Sequence, residues 1–372
     1  MPGLPARKKQ PDFLLLLSVI GLLLLGIIMV FSASQYMAAN SDINDGLYYL
    51  KKQCLWAVLG LAALVFMLKI DYHFLKKLAL PGLIAAVICL ILVKVGAGAS
   101  SLGAERTLVL GPIHFQPSEF VKLALILFFA YNMSEHQDVM GTFRYGFLPH
   151  VIVLAVFCGL IMLQPDLGTS VALAGTAFLM MVSGGVKFRY LAALIGLGVV
   201  LVGLAIWLEP FRMARFTAFL DPWEDPLGYG FQTVQSLIAI GTGGFSGVGL
   251  GAGGSKWYYL PEVHTDFIFS IIGEELGFVG TVFTVLLFAV FVWRGIRIAL
   301  SLEDSFGALL ALGITAMVGV QTLINFFVAT GMMPVTGIAL PFISYGGSSL
   351  LFTLAAAGVL LNLSSYMPKG GS

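Results

Sequence analysis

Read from its N-terminus, the chain is a series of long apolar runs separated by polar breaks. The runs fall at residues 13–33, 53–69, 78–95, 118–134, 147–163, 167–183, 188–207, 266–293, 306–330 and 346–364. Each is near the roughly 20 residues that cross a hydrocarbon core of about 30 Å. Lipid offers no partners for backbone N–H and C=O groups, so a span this long must pair them within itself, as an α-helix does. The pattern predicts an all-α polytopic membrane protein with about ten transmembrane helices in one integral membrane domain over residues 1–372, with 1–12 as a cytoplasmic tail.

The first run has a second reading. Arg7, Lys8 and Lys9 precede it, and Phe31-Ser-Ala-Ser34 has the small residues of a signal-peptide cleavage site. The stretch Phe13–Phe31 is longer than the usual apolar region of a signal peptide, about 7–15 residues, and more spans follow. The expectation is a retained first helix.

The breaks are unequal in length. Residues 208–265, between the seventh and eighth runs, are far longer than a turn requires, and long connections are commonly functional. They hold Trp223, Phe231, Phe245, Trp257, Tyr258 and Tyr259, and the amphipathic run 231–240. This predicts re-entrant or interfacial helices on the outer leaflet. No internal repeat is visible, so the sequence gives no support for an inverted-repeat transporter.

Composition agrees with the pattern. Hydrophobic residues make up 59% of the chain and charged residues 10%, against about 25% charged in a soluble domain. A net charge of +1 leaves no basic field for nucleic acid. Cys54, Cys89 and Cys158 all sit in apolar runs and read as packing residues.

Lys and Arg placement sets the orientation. With Arg7, Lys8 and Lys9 in the cytoplasm, Lys69, Lys76, Lys77, Arg144, Lys187, Arg189, Arg294, Arg297 and Lys369 also fall inside. The exceptions are Lys51, Lys52, Lys94, Arg106, Arg212, Arg215 and Lys256, of which the last three share the long outer connection. Both termini are expected in the cytoplasm and the 208–265 loop outside.

A few ionisable residues lie in or beside the apolar runs, where charge is costly. Glu119 and Lys122 stand three apart, on one helical face. They read either as a neutralised packing pair or as the polar wall of a cavity. Asp266, after His264 and Thr265, reads either as a helix N-cap or as a carboxylate at the membrane–water boundary able to act as a base. Glu274 and Glu275 need a cavity or polar partners, such as Gln321 or Asn325. Asp166 in Gln164-Pro-Asp-Leu-Gly168 suits turn chemistry. Residues 249–254 match GxGxxG, but no strand precedes them, so a dinucleotide site is excluded. Their glycines instead suit close approach to a surface or a bulky ligand. No Walker A, HExxH or paired-Cys motif is present.

Seven segments in order resemble the SEDS family of membrane proteins (shape, elongation, division and sporulation), which includes FtsW, RodA and SpoVE. They are residues 116–122 (QPSEFVK), 164–169 (QPDLGT), 215–222 (RFTAFLDP), 225–236 (DPLGYGFQTVQS), 260–270 (LPEVHTDFIFS), 273–277 (GEELG) and 343–349 (ISYGGSS). The runs DPWEDP and LPFISYGGSS are closer to the FtsW/SpoVE branch than to RodA. One departure is Ala104-Glu-Arg-Thr107, where members often have Trp after Arg.

The resemblance implies a peptidoglycan glycosyltransferase that polymerises lipid II, an undecaprenyl-diphosphate-linked disaccharide-pentapeptide, at the outer face of the bacterial cytoplasmic membrane. It implies a class B penicillin-binding protein as partner, with other divisome or elongasome membrane proteins. By the same resemblance Asp266 is the catalytic residue. Substrate binding is carried over to Glu119, Lys122, Arg106, Gln116, Asp166, Arg212, Arg215, Lys256, Ser344 and Ser348. Cations must hold the leaving diphosphate, either protein side chains or a divalent ion such as Mg or Mn. A lipid II flippase and a scaffold of the wall-synthesis complex are the alternatives.

Overall fold

The computed structural model describes residues 10–40, 44–94, 98–101, 104–110, 113–256 and 263–368. The expectations placed on Arg7, Lys8, Lys9, Lys369 and the aromatic run 257–259 lie outside these.

Each of the ten apolar runs falls on a helix. They are α1 (Phe13–Ala39), α2 (Tyr48–Lys69), α3 (Tyr72–Leu92), α4 (Pro117–Glu135), α5 (Leu148–Met162), α6 (Leu167–Ser183), α7 (Phe188–Trp207), α10 (Ile268–Ser301), α11 (Ser305–Ala329) and α12 (Gly347–Ser364). Among the described residues eight helices are long and apolar enough to cross a membrane; α6 is shorter, and α4 is not among the eight. Two more, α8 (Pro210–Leu220) and α9 (Phe231–Gly243), lie in the long connection. The amphipathic run 231–240 is therefore helical, as expected.

The helix starts are encoded locally. Asp12, Asp71, Asp166 and Asp304 each cap a helix, accepting from the N–H of Leu15 (2.9 Å), His73 (3.0 Å), Thr169 (3.0 Å) and Gly307 (2.9 Å). Each bond satisfies one of the N–H groups that a helix start leaves without an intrahelical partner. Pro117 and Pro210 occupy first-turn positions, where the missing N–H costs nothing.

Burial divides the helices. α11 and α12 are buried over most of their length, packed among α2, α4, α6 and α10. Asn362 on α12 donates to the carbonyls of Met67 (3.0 Å) and Leu68 (2.7 Å), which ties the end of α2 to α12. In α7 only Leu191 is buried, and its flanks are exposed Ile195, Leu197, Val199 and Leu204. An apolar helix so little covered suits lipid as solvent.

Two features depart from the expected pattern. The connection between α3 and α4 holds a small antiparallel sheet, β1 (Gly98–Ser101), β2 (Ala104–Leu110) and β3 (Ile113–Phe115), in the order β1-β2-β3. β2 (AERTLVL) does not alternate apolar and polar residues, and β1 and β3 have four and three residues, so no strand pattern marks them. The eighth apolar run is also not one continuous helix. α10 breaks at Gly277 (φ 64°, ψ −160°), leaving a half-helix 268–276 ahead of the longer 278–301. The glycine-rich segment after α9 fills the break, as described below.

Candidate functional site

The site is organised by residues 331–346, the segment between α11 and α12. Its prolines and glycines keep it out of helix, and it folds back against the turn that precedes α10. Tyr345 N donates to His264 O (2.8 Å) and Ser344 Oγ to Thr265 O (2.5 Å). The same Ser344 Oγ accepts from Leu340 N (2.8 Å). Asn325, buried on α11, donates from Nδ2 to Asp266 O and to Ile338 O, both at 2.8 Å. One amide therefore fixes the Asp266 backbone to the inserted segment.

Asp266 is partly exposed. It is not the N-cap of α10: that position is Phe267, and no side-chain cap bond is made there. The side chain of Asp266 faces the Gly337 turn, where a Cβ on Gly337 would lie 3.6 Å from Oδ2. Gly337 has φ 76°, a conformation L-residues rarely adopt, which suits a glycine at this turn.

Of the expected residues, Arg215 reaches this turn, and others form local contacts on α4 and α12. Arg215 on α8 donates from Nη1 to Val335 O (3.5 Å), two residues from Gly337, and stacks 4.4 Å over Phe211. Gly168, in the motif after Gln164, packs directly on Thr336. Ser348 Oγ accepts from Gln116 N (3.1 Å), joining the start of α12 to the start of α4. One turn into α4, Lys122 Nζ meets Glu119 at 2.9 Å (Oε1) and 2.8 Å (Oε2). Both residues are buried, 6% and 8% exposed. Around His264 the rings of Tyr49 and Tyr345 stand at 4.6 and 5.5 Å. Burial, with Tyr48 and Tyr49 nearby, pushes the Tyr345 hydroxyl up to about 12, so it stays a neutral donor.

Other expected residues are placed differently. Lys256 is buried and ion-paired. It is 5% exposed and its Nζ sits 2.7 Å from Glu275 Oε1 and 3.3 Å from Ser32 Oγ. A buried ammonium needs a carboxylate beside it, and Glu275 supplies one. This also corrects the partners expected for Glu274 and Glu275. Glu274 Oε1 accepts from Gly254 N (2.8 Å), Ser255 N (3.1 Å) and Ser255 Oγ (3.1 Å), while Asn325 is engaged elsewhere. Asp166 caps α6, its Oδ2 also accepting from Thr169 Oγ1 (2.8 Å). Arg212 Nη1 donates to Ala205 O (3.1 Å), back toward α7. Arg106 lies in β2, and its side chain is outside the described residues.

Sequence reasoning missed the clamp role of Asn325, the Gly337 turn, Tyr49 and Tyr345. The usable signal was the 331–346 connection itself, too rich in Pro and Gly for helix and too long for a tight turn. Two buried acceptors or donors there, Asn325 Oδ1 and Thr336 Oγ1, have no hydrogen-bond partner among the described residues. Such groups are costly unless something satisfies them. For a metal, no group of three or more His, Cys, Asp or Glu gathers among the described residues.

The sequence was compared with known proteins. The profile of the FtsW, RodA and SpoVE family, described as "Cell cycle protein", matches residues 13–369. A "Probable peptidoglycan glycosyltransferase FtsW" from Geobacter sp. (strain M18) is 44% identical over 365 residues, 97% of this chain and 98% of that protein. "Stage V sporulation protein E" of Bacillus subtilis (strain 168) is 45% identical over 364 residues, with 97% and 98% covered. A solved structure described as "Structural coordination of polymerization and crosslinking by a peptidoglycan synthase complex" superposes with a TM-score of 0.78. It is 33% identical, with 95% of this chain and 97% of that chain covered.

Proposed function

The chain belongs to the FtsW, RodA and SpoVE family and is a multi-pass membrane peptidoglycan glycosyltransferase; we propose that it extends glycan from lipid II at the outer membrane face with Asp266 as the base. The observation that carries the assignment is the Asp266 turn. Asp266 stands two residues before α10, its backbone is clamped by Asn325, and its Oδ2 faces Gly337.

The reaction joins an acceptor sugar hydroxyl to the anomeric carbon of the donor. The new C–O bond forms as the bond from that carbon to the lipid diphosphate breaks. The hydroxyl proton passes to Asp266, and the electron pair leaves with the diphosphate. Charge then builds on the diphosphate and needs cations that are already in place. Arg215, held beside the Gly337 turn, and Lys122, buried one turn into α4, are the two we assign to it. The lipid tail stays in the bilayer while the sugars project from it, which is why a site beside the membrane boundary suits this substrate.

We further assign a class B penicillin-binding protein as partner, working with other divisome or elongasome membrane proteins. Support comes from the 33%-identical structure of a complex that couples polymerization to crosslinking. Purified Asp266→Asn should keep its fold and its partner but lose polymer formation from labelled lipid II. Base catalysis contributes about 10²–10⁴-fold, so the loss should be of that order. Glycan made at the wild-type rate would remove Asp266 from the mechanism.

A further inference from the structure

The glycine-rich segment 243–256, which matches a nucleotide motif only by accident, has a structural use. It threads through the break in α10. Val248 N donates to Glu274 O and Gly249 N to Glu275 O, both at 3.0 Å. These bonds satisfy the carbonyls at the end of the half-helix 268–276. In return Phe278 N donates to Gly244 O (2.9 Å) and Val279 N to Phe245 O (3.2 Å), which closes the start of the second half. A Cβ on Gly277 would collide with the Gly247 nitrogen, and one on Gly247 with the Glu275 carbonyl. The two backbones therefore meet at a distance that only glycine permits.

Side chains lock the same junction. Glu274 Oε1 collects the three donors of Gly254 and Ser255. Glu275 takes Lys256 Nζ at 2.7 Å and Ser32 Oγ at 2.6 Å (Oε2) and 2.8 Å (Oε1), so α1, the loop and α10 are tied at one carboxylate. Lys256 and Glu275 are 5% and 1% exposed. The opposite end of this half-helix follows directly on Asp266. Ser236 holds it there from α9, 2.5 Å from Ser270 Oγ and donating to Ala329 O (2.6 Å).

We infer that Lys256 and Glu275 are a positioning pair for the reaction: they fix the far end of the half-helix that sets Asp266, and they act on turnover rather than on substrate affinity. The inference rests on the reading of Asp266 as the base. A displacement of about 1 Å at a reacting group can cost about 100-fold in rate. The pair is buried and anchors the end of the half-helix away from Asp266.

The test uses purified full-length chain and labelled lipid II, with Lys256→Met, Glu275→Gln and the double substitution. All three should lower kcat by about 100-fold with KM unchanged, and the double should be no worse than either single, because the pair acts as one unit. The double variant leaves no unpaired buried charge, so it decides the matter where a single does not fold. Monodispersity and melting temperature are read alongside. If the double variant turns over at the wild-type rate per folded molecule, the pair is structural only and the inference is overturned. A raised KM in Lys256→Met with Glu275→Gln unaffected would instead make Lys256 a substrate-binding cation, and would overturn it too. Asp266→Asn separates the two claims. Activity retained there overturns the base assignment and this inference with it. Activity lost there, with wild-type turnover in the double variant, overturns the pair alone.

Discussion

Lys122–Glu119 and Lys256–Glu275 are both buried lysine–glutamate pairs at nearly the same separation, 2.8 and 2.7 Å. They differ in how far apart their members stand in the chain. The first closes within one turn of α4 and ties no second element by its ion pair. The second joins a loop to a helix nineteen residues later and collects Ser32 from α1. A local pair forms wherever its helix forms, so it adds nothing to tertiary specificity. Removing two charges from water costs several kcal/mol per ion, roughly offset at best by their attraction. On the proposed mechanism the first pair serves the chemistry, and on the further inference the second, which holds three elements together, serves the geometry.

The largest expected effects come from splitting either pair. Glu119→Ala strands Lys122 in the interior and should cost about 3–5 kcal/mol, read as a fall in melting temperature in detergent. The paired substitution Glu119→Gln with Lys122→Met should recover most of that stability while polymerisation from lipid II stays lost. If that double variant polymerises normally, the first pair is a neutralised packing pair and the contrast with the second disappears. Gly277→Ala tests the geometric side. Alanine at φ 64° against the Gly247 nitrogen costs at least about 1–3 kcal/mol of strain. Thermal unfolding should show that loss, and unchanged stability and turnover would show that the clip yields easily.

The same contrast explains what could be read from sequence. The spans were legible because apolar length alone marks a membrane helix, and all ten runs lie on helices. Glu119 and Lys122 were legible as a pair because the helical repeat puts residues three apart on one face. The ion pair of Lys256 with Glu275 was hidden because nothing local connects the two. The break in α10 was equally hidden: Gly277 sits in an apolar run, and only the close approach of Gly247 reveals why a glycine stands there. Asp266 was left between cap and base, since both uses place an Asp at a helix start. In the structure Phe267 stands directly before α10 and Asp266 one residue further back. The family resemblance supplied the chemistry that residue patterns left open.

A smaller effect is expected at Asn325. Asn325→Ala removes two hydrogen bonds of 2.8 Å and leaves the carbonyls of Asp266 and Ile338 without them. Each buried group so orphaned costs about 1–3 kcal/mol. Because one of them belongs to Asp266, kcat should fall alongside stability. A variant that loses stability but keeps wild-type kcat per folded molecule would show that the Asp266 turn is held well enough by Ser344 and Tyr345 alone.

The smallest effect belongs to Tyr345, and its sign follows from the direction of its shift. Burial is the main cause that raises this hydroxyl to about 12 from an ordinary value of 10.0. The folded state therefore keeps the proton more tightly than the unfolded chain does. Its contribution is fully present below pH 10 and is lost as pH rises through about 12, because the unfolded tyrosine ionises first. Between pH 6 and pH 9 neither state ionises there, to the order of about one pKa unit. Tyr345→Phe should accordingly leave the shape of the pH–rate profile unchanged over that range, while flattening the decline in melting temperature above pH 10. Asp266 is then the group whose replacement alters turnover at neutral pH, and Tyr345 a wall of the turn. An alkaline limb that vanishes below pH 9 in Tyr345→Phe would reverse those roles, giving the phenol a proton to move during the reaction.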